Sequence, residues 1–193
     1  MWRRFAIAAT VVTAFMAAAT FGLWRFASSL PPLDLTEAEH RSTIVVDREN
    51  RLLRAFATPE GRWRLPVGHD DVDPRFIAML KAYEDKRFDS HRGLDPMALA
   101  RASWQLATSG RIVSGASTLT MQVARLLEPR PERNVAAKLR QAARAVELER
   151  RFSKAEILDL YLRLAPYGGT LEGIRAASLS YFGKDPKRLS VGE

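Results

Sequence analysis

No cysteine occurs anywhere in this chain, so neither a disulfide framework nor a thiolate metal site is open to it. Histidine is almost as scarce: His40, His69 and His91 are scattered, do not make a ligand set, and leave no metal site to expect. Internal repeats and low-complexity tracts are missing as well. With 47% hydrophobic and 27% charged residues in a length of 193, the composition excludes disorder and admits one domain with a proper core. Negative charge is in short supply, since 22 acids face 30 lysines and arginines, and the formal balance of +8 favours an anionic partner. Long apolar runs are absent too, except at the very start.

That one run, "FAIAATVVTAFMAAATFGLW" from Phe5 to Trp24, is uncharged for 20 residues. At ~1.5 Å per residue it spans roughly the 30 Å of a bilayer core. Arg3 and Arg4 precede it, so the N-terminus is expected in the cytoplasm and residues 27–193 outside, although Arg25 weakens the asymmetry. Residues 1–26 are therefore expected to form one transmembrane anchor. A cleaved signal peptide competes, because Ala17, Ala18 and Ala19 would suit the peptidase, but the run exceeds the usual ~7–15 apolar residues. Either reading exports the rest of the chain and argues against nucleic acid as partner.

Residues 27–42 contain Pro31 and Pro32 and read as a linker. Next come two short β-rich runs, "STIVVD" and "RLLRAFAT", around a turn, with "GRWRLP" as a third strand beside them. From Asp73 onward the signals are helical and amount to about five helices. Asp73-Pro74 and Asp95-Pro96 each offer an N-cap followed by proline, Gly110 closes the second helix, and Ser153 with Glu156 makes a capping box.

In "AYEDKRFDSHRG", two acids stand side by side. On a helical wheel with Phe76 at zero, Leu80 and Tyr83 lie close to it, and Glu84 falls between Leu80 and Ile77, whereas Asp85 faces the opposite way. A carboxylate at the core margin pays a desolvation cost, which suits a general acid or base, although a structural ion pair with a nearby lysine or arginine reads equally well. Asp85 is expected at the surface in a local structural role with His91 or Arg92. Downstream, "SGASTLTMQVARL" opens with a hydroxyl-rich loop and becomes an amphipathic helix. Such a loop binds an oxyanion or sugar hydroxyls, or is only an N-cap.

Taken together, "EDKRFDSHRG", "GASTLTMQ", "SKAEILDLYL" and "GIRAASLSYFGK", in this order and spacing, resemble the glycosyltransferase family 51 module of bifunctional penicillin-binding proteins over roughly residues 40–193. Met121-Gln122 and "RLAPYGGTLEGI" are most similar to the penicillin-binding protein 1C branch. The resemblance implies a mainly α, lysozyme-like domain with a small β-hairpin element, preceded by one transmembrane helix. It also implies an inverting transferase in the bacterial inner membrane with its catalytic domain on the periplasmic side. That transferase polymerises lipid II into β-1,4 glycan strands and releases undecaprenyl pyrophosphate.

The partners implied are lipid II, the lipid-linked glycan chain and the cytoplasmic membrane, with other cell wall synthases admitted. No cofactor is specified, and a divalent cation stays open. By the same resemblance Glu84 is the catalytic base, and Ser117, Gln122, Arg125, Arg133, Lys138 and Gln141 bind substrate, with Arg125, Arg133 and Lys138 on phosphate.

The basic stretch Arg125 to Arg151 fits that role, holding eight basic residues against four acids. On its helix Val135, Leu139, Ala142 and Val146 are expected to form the buried stripe, with Lys138 and Glu149 at its border and Arg140 and Arg144 pointing away, solvated or near lipid headgroups. Two positions depart from the family pattern. Gln141 aligns with the family's usual second glutamate, and an amide cannot exchange a proton near neutral pH. Arg163 stands where the fourth motif usually carries asparagine.

Two other classes remain, a glycan-cleaving enzyme of lytic transglycosylase or muramidase type and a lipid II-binding scaffold without turnover. No Ser-x-x-Lys motif of a transpeptidase occurs, so penicillin binding is not expected of this chain. "SVGE" at residues 190–193 reads as a capping box whose helix is missing, so residues 43–193 are expected to be a C-terminally incomplete domain, with Ile174, Ala177 and Tyr181 more exposed than a finished domain tolerates.

Overall fold

The computed structural model describes residues 21–22, 25–49, 51–110, 115–129, 132 and 134–193. Among the described residues no helix is long and apolar enough to cross a membrane, and the Phe5–Trp24 run lies outside them except for Phe21 and Gly22. The chain divides after Leu33, and the second unit, Asp34–Glu193, carries the elements that matter for the site.

That unit opens with a short helix, α1 (Thr36–Glu39), followed by the expected hairpin of β1 (Ile44–Val46) and β2 (Leu52–Ala55), antiparallel with a bulge after Val45. Asp47 holds the turn, its carboxylate accepting from the backbone N–H of Glu49 (2.9 Å) and Arg51 (2.8 Å). The third strand does not join this hairpin. β3 (Trp63–Arg64) pairs in parallel with β5 (Leu171–Glu172), which also pairs antiparallel with β4 (Pro166–Gly168). A strand this short cannot announce its partner, and the pairing comes from a segment 108 residues away that brings Glu172 to the Arg64 guanidinium.

The helices start where their caps are. Asp73 accepts from Arg75 N at the head of α2 (Pro74–Glu84), and Asp95 from Met97 N and Ala98 N at the head of α3 (Pro96–Ser109). Thr118 caps α4 (Leu119–Leu127), Asn134 caps α5 (Val135–Arg151), and the Ser153–Glu156 box opens α6 (Lys154–Leu164). The chain then forms β4, β5 and α7 (Ile174–Phe182), which Gly183 closes in the left-handed conformation before a 3-10 turn at Pro186–Arg188.

The core is built around α4, whose Leu119, Met121, Val123, Ala124 and Leu127 are buried between α5 and α6. Ala145 and Leu148 of α5 and Ile157 and Leu162 of α6 meet it, all four fully shielded. Burial of this kind stabilises by ~25 cal/mol per Å² of apolar surface removed from water.

Three sequence expectations are corrected here. The buried stripe of α5 is Arg144, Ala145 and Leu148, whereas Val135 and Leu139 are 76% and 41% exposed. Small Ala145 allows close approach, and acids compensate Arg144, so the packed face includes a charge that a wheel reads as solvated. The apolar face of α2 is not a core face: Phe76, Ile77 and Leu80 are only half-buried and Tyr83 is 89% exposed. On α7, Ile174 and Ala177 are buried, whereas Tyr181 and Phe182 are exposed, the Tyr181 hydroxyl donating to Tyr167 O (2.7 Å). At Ser190–Glu193 the glutamate reaches back as a capping box would have it, Ser190 N and Oγ both donating to Glu193 Oε2, while Glu193 N donates to Ser190 O.

Candidate active site

Glu84 is the last residue of α2, and there the wheel stops applying. Asp85 is its C-cap with φ −157° and ψ 79°, so the backbone leaves the helix between the two acids and turns Asp85 inward. Asp85 is therefore buried, not outward-facing as the wheel implied. Its carboxylate accepts from Leu119 N (2.9 Å) and from His91 Nε2 (2.9 Å), which bears out the expected partnership with His91. Thr118 Oγ1 donates to Gly93 O (2.6 Å), a second tie between the same loop and the head of α4. Gly93 sits at φ +88° with its Cα so close to α5 that an added Cβ would lie 2.7 Å from Ala145 O.

These ties fix the N-terminus of α4 against the end of α2. One turn into α4, Gln122 Nε2 donates to Glu84 Oε2 at 2.7 Å. Ser117, Met121, Gln122, Arg125, Lys138 and Gln141 line a cavity of about 220 Å³ beside that contact. Of the seven sequence-predicted site residues, Glu84, Ser117, Gln122, Arg125, Lys138 and Gln141 thus converge, and Arg133 lies outside the described residues. Arg125, Lys138 and Gln141 also face a larger cavity of about 930 Å³, whose opposite wall is Arg62, Arg64 and Glu172.

The charge on this wall is positive and crowded. Lys138 Nζ donates to Ser117 Oγ, and burial, followed by the Arg125 guanidinium, holds the Lys138 amine below the usual lysine value. Two charged residues expected nearby behave differently. Arg144 is buried and ion-paired to Glu128 (2.7 Å) and Glu147 (2.6 Å), and so is neither solvated nor at a surface. Glu149 is committed to Thr120 Oγ1 (2.6 Å) and Lys154 Nζ (2.7 Å), so it does not replace the acid that Gln141 lacks.

Tyr161 was missed from sequence. It is 9% exposed on α6, and its phenol is pushed up to about 12 by burial and then by the Glu84 charge, with Arg125 opposing. A tyrosine on the apolar face of a helix reads as core, and nothing in its spacing shows that its tip lies within the field of Glu84 and Arg125. Among the described residues, no group of three or more histidine, aspartate or glutamate side chains is gathered as a metal site would require.

A transglycosylase family model matches residues 49–193. Penicillin-binding protein 1C of Escherichia coli strain K12 is 51% identical over 167 residues, covering 86% of this chain and 21% of that protein. Penicillin-binding protein 1A of Haemophilus influenzae is 42% identical over 130 residues, 67% of this chain and 15% of its own length. That of Pseudomonas aeruginosa is 40% identical over 149 residues, 77% and 18% respectively. The chain thus spans about a fifth of the length of the relatives it matches.

Proposed function

This chain belongs to the transglycosylase family, and from that premise we propose that it is a peptidoglycan glycosyltransferase that polymerises lipid II in cell wall synthesis. The observation that carries the reading is the Gln122–Glu84 contact, which sets a carboxylate at the edge of a cavity walled by Arg125 and Lys138. Glu84 takes the proton of the acceptor 4-hydroxyl as general base. The acceptor oxygen then bonds to the anomeric carbon of the lipid-linked glycan from the face opposite the leaving group, and the bond to pyrophosphate breaks with inversion.

The electron pair leaves on the undecaprenyl pyrophosphate. Arg125, Arg133 and Lys138 stabilise that charge through charge-assisted hydrogen bonds. Ser117 and Gln122 orient Lys138 and Glu84 through the contacts described above. Gln141 contributes an amide donor or acceptor where an acid would have supplied charge. The Phe5–Trp24 run anchors the chain in the inner membrane, with this domain on its outer side.

Cations on the cavity wall favour a pyrophosphate leaving group over simple cleavage of a glycan. Incubating the purified chain in detergent with labelled lipid II is expected to yield polymer. Shortening of preformed glycan strands in a parallel incubation, without polymer from lipid II, would instead identify a lytic enzyme, and binding without turnover a scaffold.

A further inference from the structure

Lys154, the first residue of α6, has no place in the chemistry above. At the head of a helix its charge opposes the helix dipole, so α6 gains nothing from a cation there. What holds it lies on other elements. Its Nζ donates to Glu149 Oε1 (2.7 Å) near the end of α5 and stands 4.4 Å from the centroid of the Phe88 ring, close enough for a cation–π contact. The Glu149 side chain is only 7% exposed, so its charge needs this partner.

Glu149 passes the contact on. The same Oε1 accepts from Thr120 Oγ1 at 2.6 Å, and Thr120, in the first turn of α4, is fully buried. Two residues further, Gln122 lies ~200° round the helix, so the two side chains leave α4 on nearly opposite sides. Holding Thr120 from the α5 side therefore aims Gln122 at Glu84 on the other.

Phe88 closes the circuit. It is buried in the loop that follows Glu84, and its N–H donates to Asp85 O (3.0 Å). Lys154 thus reaches Gln122 through Glu149 and Thr120, and the backbone behind Glu84 through Phe88. Lys81 gives the contrast. Its Nζ is 5.3 Å from the same ring, but it pairs with Asp89 (2.8 Å) in that loop and so joins the loop to α2, not to α4.

We propose that Lys154 is a positioning residue of the transferase, which sets the Gln122–Glu84 contact through Glu149 and Thr120 on one side and Phe88 on the other. It acts without touching substrate, since it lines neither cavity of the site. The inference rests on the reading of Glu84 as general base.

The contact is read directly in proton–nitrogen spectra of the full chain in detergent, with the Gln122 side-chain amide assigned by its loss in Gln122→Ala. Held by Glu84 at 2.7 Å, that amide is expected downfield and slow to exchange in the parent. Lys154→Met keeps the reach of the side chain and removes its charge, and should return the signal to that of a free amide. Lys154→Arg should preserve it. A Gln122 signal that does not move in Lys154→Met overturns the proposal.

Turnover gives the second readout. In Lys154→Met, kcat for labelled lipid II should fall by up to about a hundredfold, the usual result of a misplacement of ~1 Å, with KM nearly unchanged because Arg125 and Lys138 keep their places. In a Gln122→Ala chain the same substitution should cost little more, because residues of one network are not additive. Losses that simply multiply overturn the proposal. If Lys154→Met does not fold, Thr120→Val takes its place in both measurements, as it cuts the link to α4 and leaves the Lys154–Glu149 pair intact. A parent chain without turnover removes the reading of Glu84, whereas the amide signal still decides whether Lys154 sets the contact.

Discussion

The two sides of the site are built differently. Beneath Glu84, the loop through Asp85, His91 and Gly93 is braced by the His91–Asp85 contact and bound to the head of α4 by buried, short hydrogen bonds. Across the cavity, the start of α5 presents Lys138 and Gln141 on an exposed, cation-rich wall above a packed base at Arg144, Ala145 and Leu148. One side holds a carboxylate still, and the other leaves donors open. Positioning and binding are thus separated onto two elements, which makes the division breakable by mutation: changes beneath Glu84 should move stability, and changes on the wall should move substrate use.

Glu84 tests the boundary, since it is held by the first side and acts into the cavity. Glu84→Gln keeps the shape and a hydrogen-bonding partner for Gln122 but removes the base. Polymerisation of labelled lipid II should fall by roughly 10²–10⁴-fold, the usual worth of general-base catalysis. Tm should hardly change. Near-normal turnover would remove Glu84 from the mechanism.

Within each side, the buried ionic groups should carry the stability. Asp85→Ala orphans Leu119 N and His91 Nε2, each worth about 1–3 kcal/mol when left buried and unpaired. Arg144→Ala leaves Glu128 without this partner and Glu147 with only the longer contact to Arg151 (3.4 Å), and breaking a buried pair from one side costs ~3–5 kcal/mol. Both should lower the urea midpoint with the slope unchanged. An Arg144→Ala protein as stable as the parent would mean that the charge on α5 is as solvated as its sequence suggested.

That contrast marks what the sequence could show. Caps at Asp73, Asp95 and Ser153 were legible because a cap is decided within four residues by a side-chain oxygen and the next backbone N–H groups. The hairpin was legible for the same local reason. The converging site residues were legible only through resemblance, as no periodicity brings Glu84 to Gln122 across 38 positions.

Arg144 and Asp85 were misread, and Tyr161 missed, for one reason in three forms. Burial of Arg144 depends on two acids, one of them 16 residues back; that of Asp85 depends on the helix ending one residue earlier; and the role of Tyr161 depends on where α4 and α2 deliver Arg125 and Glu84. Long-range pairing decided each.

Lys138→Ala should be the mirror of Arg144→Ala. Charge-assisted hydrogen bonds to phosphate are worth about 1.5–3 kcal/mol, so lipid II use should drop by roughly tenfold to a hundredfold with Tm little changed. The depressed amine adds a pH signature. In the unfolded chain Lys138 keeps its proton up to the ordinary value of 10.5, whereas the folded amine releases it earlier. Between those two points the unfolded chain binds more protons, so this residue makes stability rise with pH there, while substrate attraction falls as the charge is lost. Lys138→Met should flatten both trends, and persistence of both would reassign them.

The smallest effect is expected at Gln141, on the same wall between Lys138 and Arg125. Gln141→Glu restores an acid at the position where the family usually has one. Here, however, the new carboxylate would stand beside two cations, and its first effect should be to hold the Lys138 amine in its protonated form. Turnover of lipid II should stay within a few-fold of the parent, while the alkaline limb of the pH–rate profile moves upward because Lys138 keeps its charge longer. Measuring that limb in Gln141→Glu and in the double variant with Lys138→Met separates the causes: the shift should vanish in the double variant. A folded but inactive Gln141→Glu protein would show that the wall depends on a neutral amide at this point, and that its open donors are tuned to a substrate that tolerates no further negative charge.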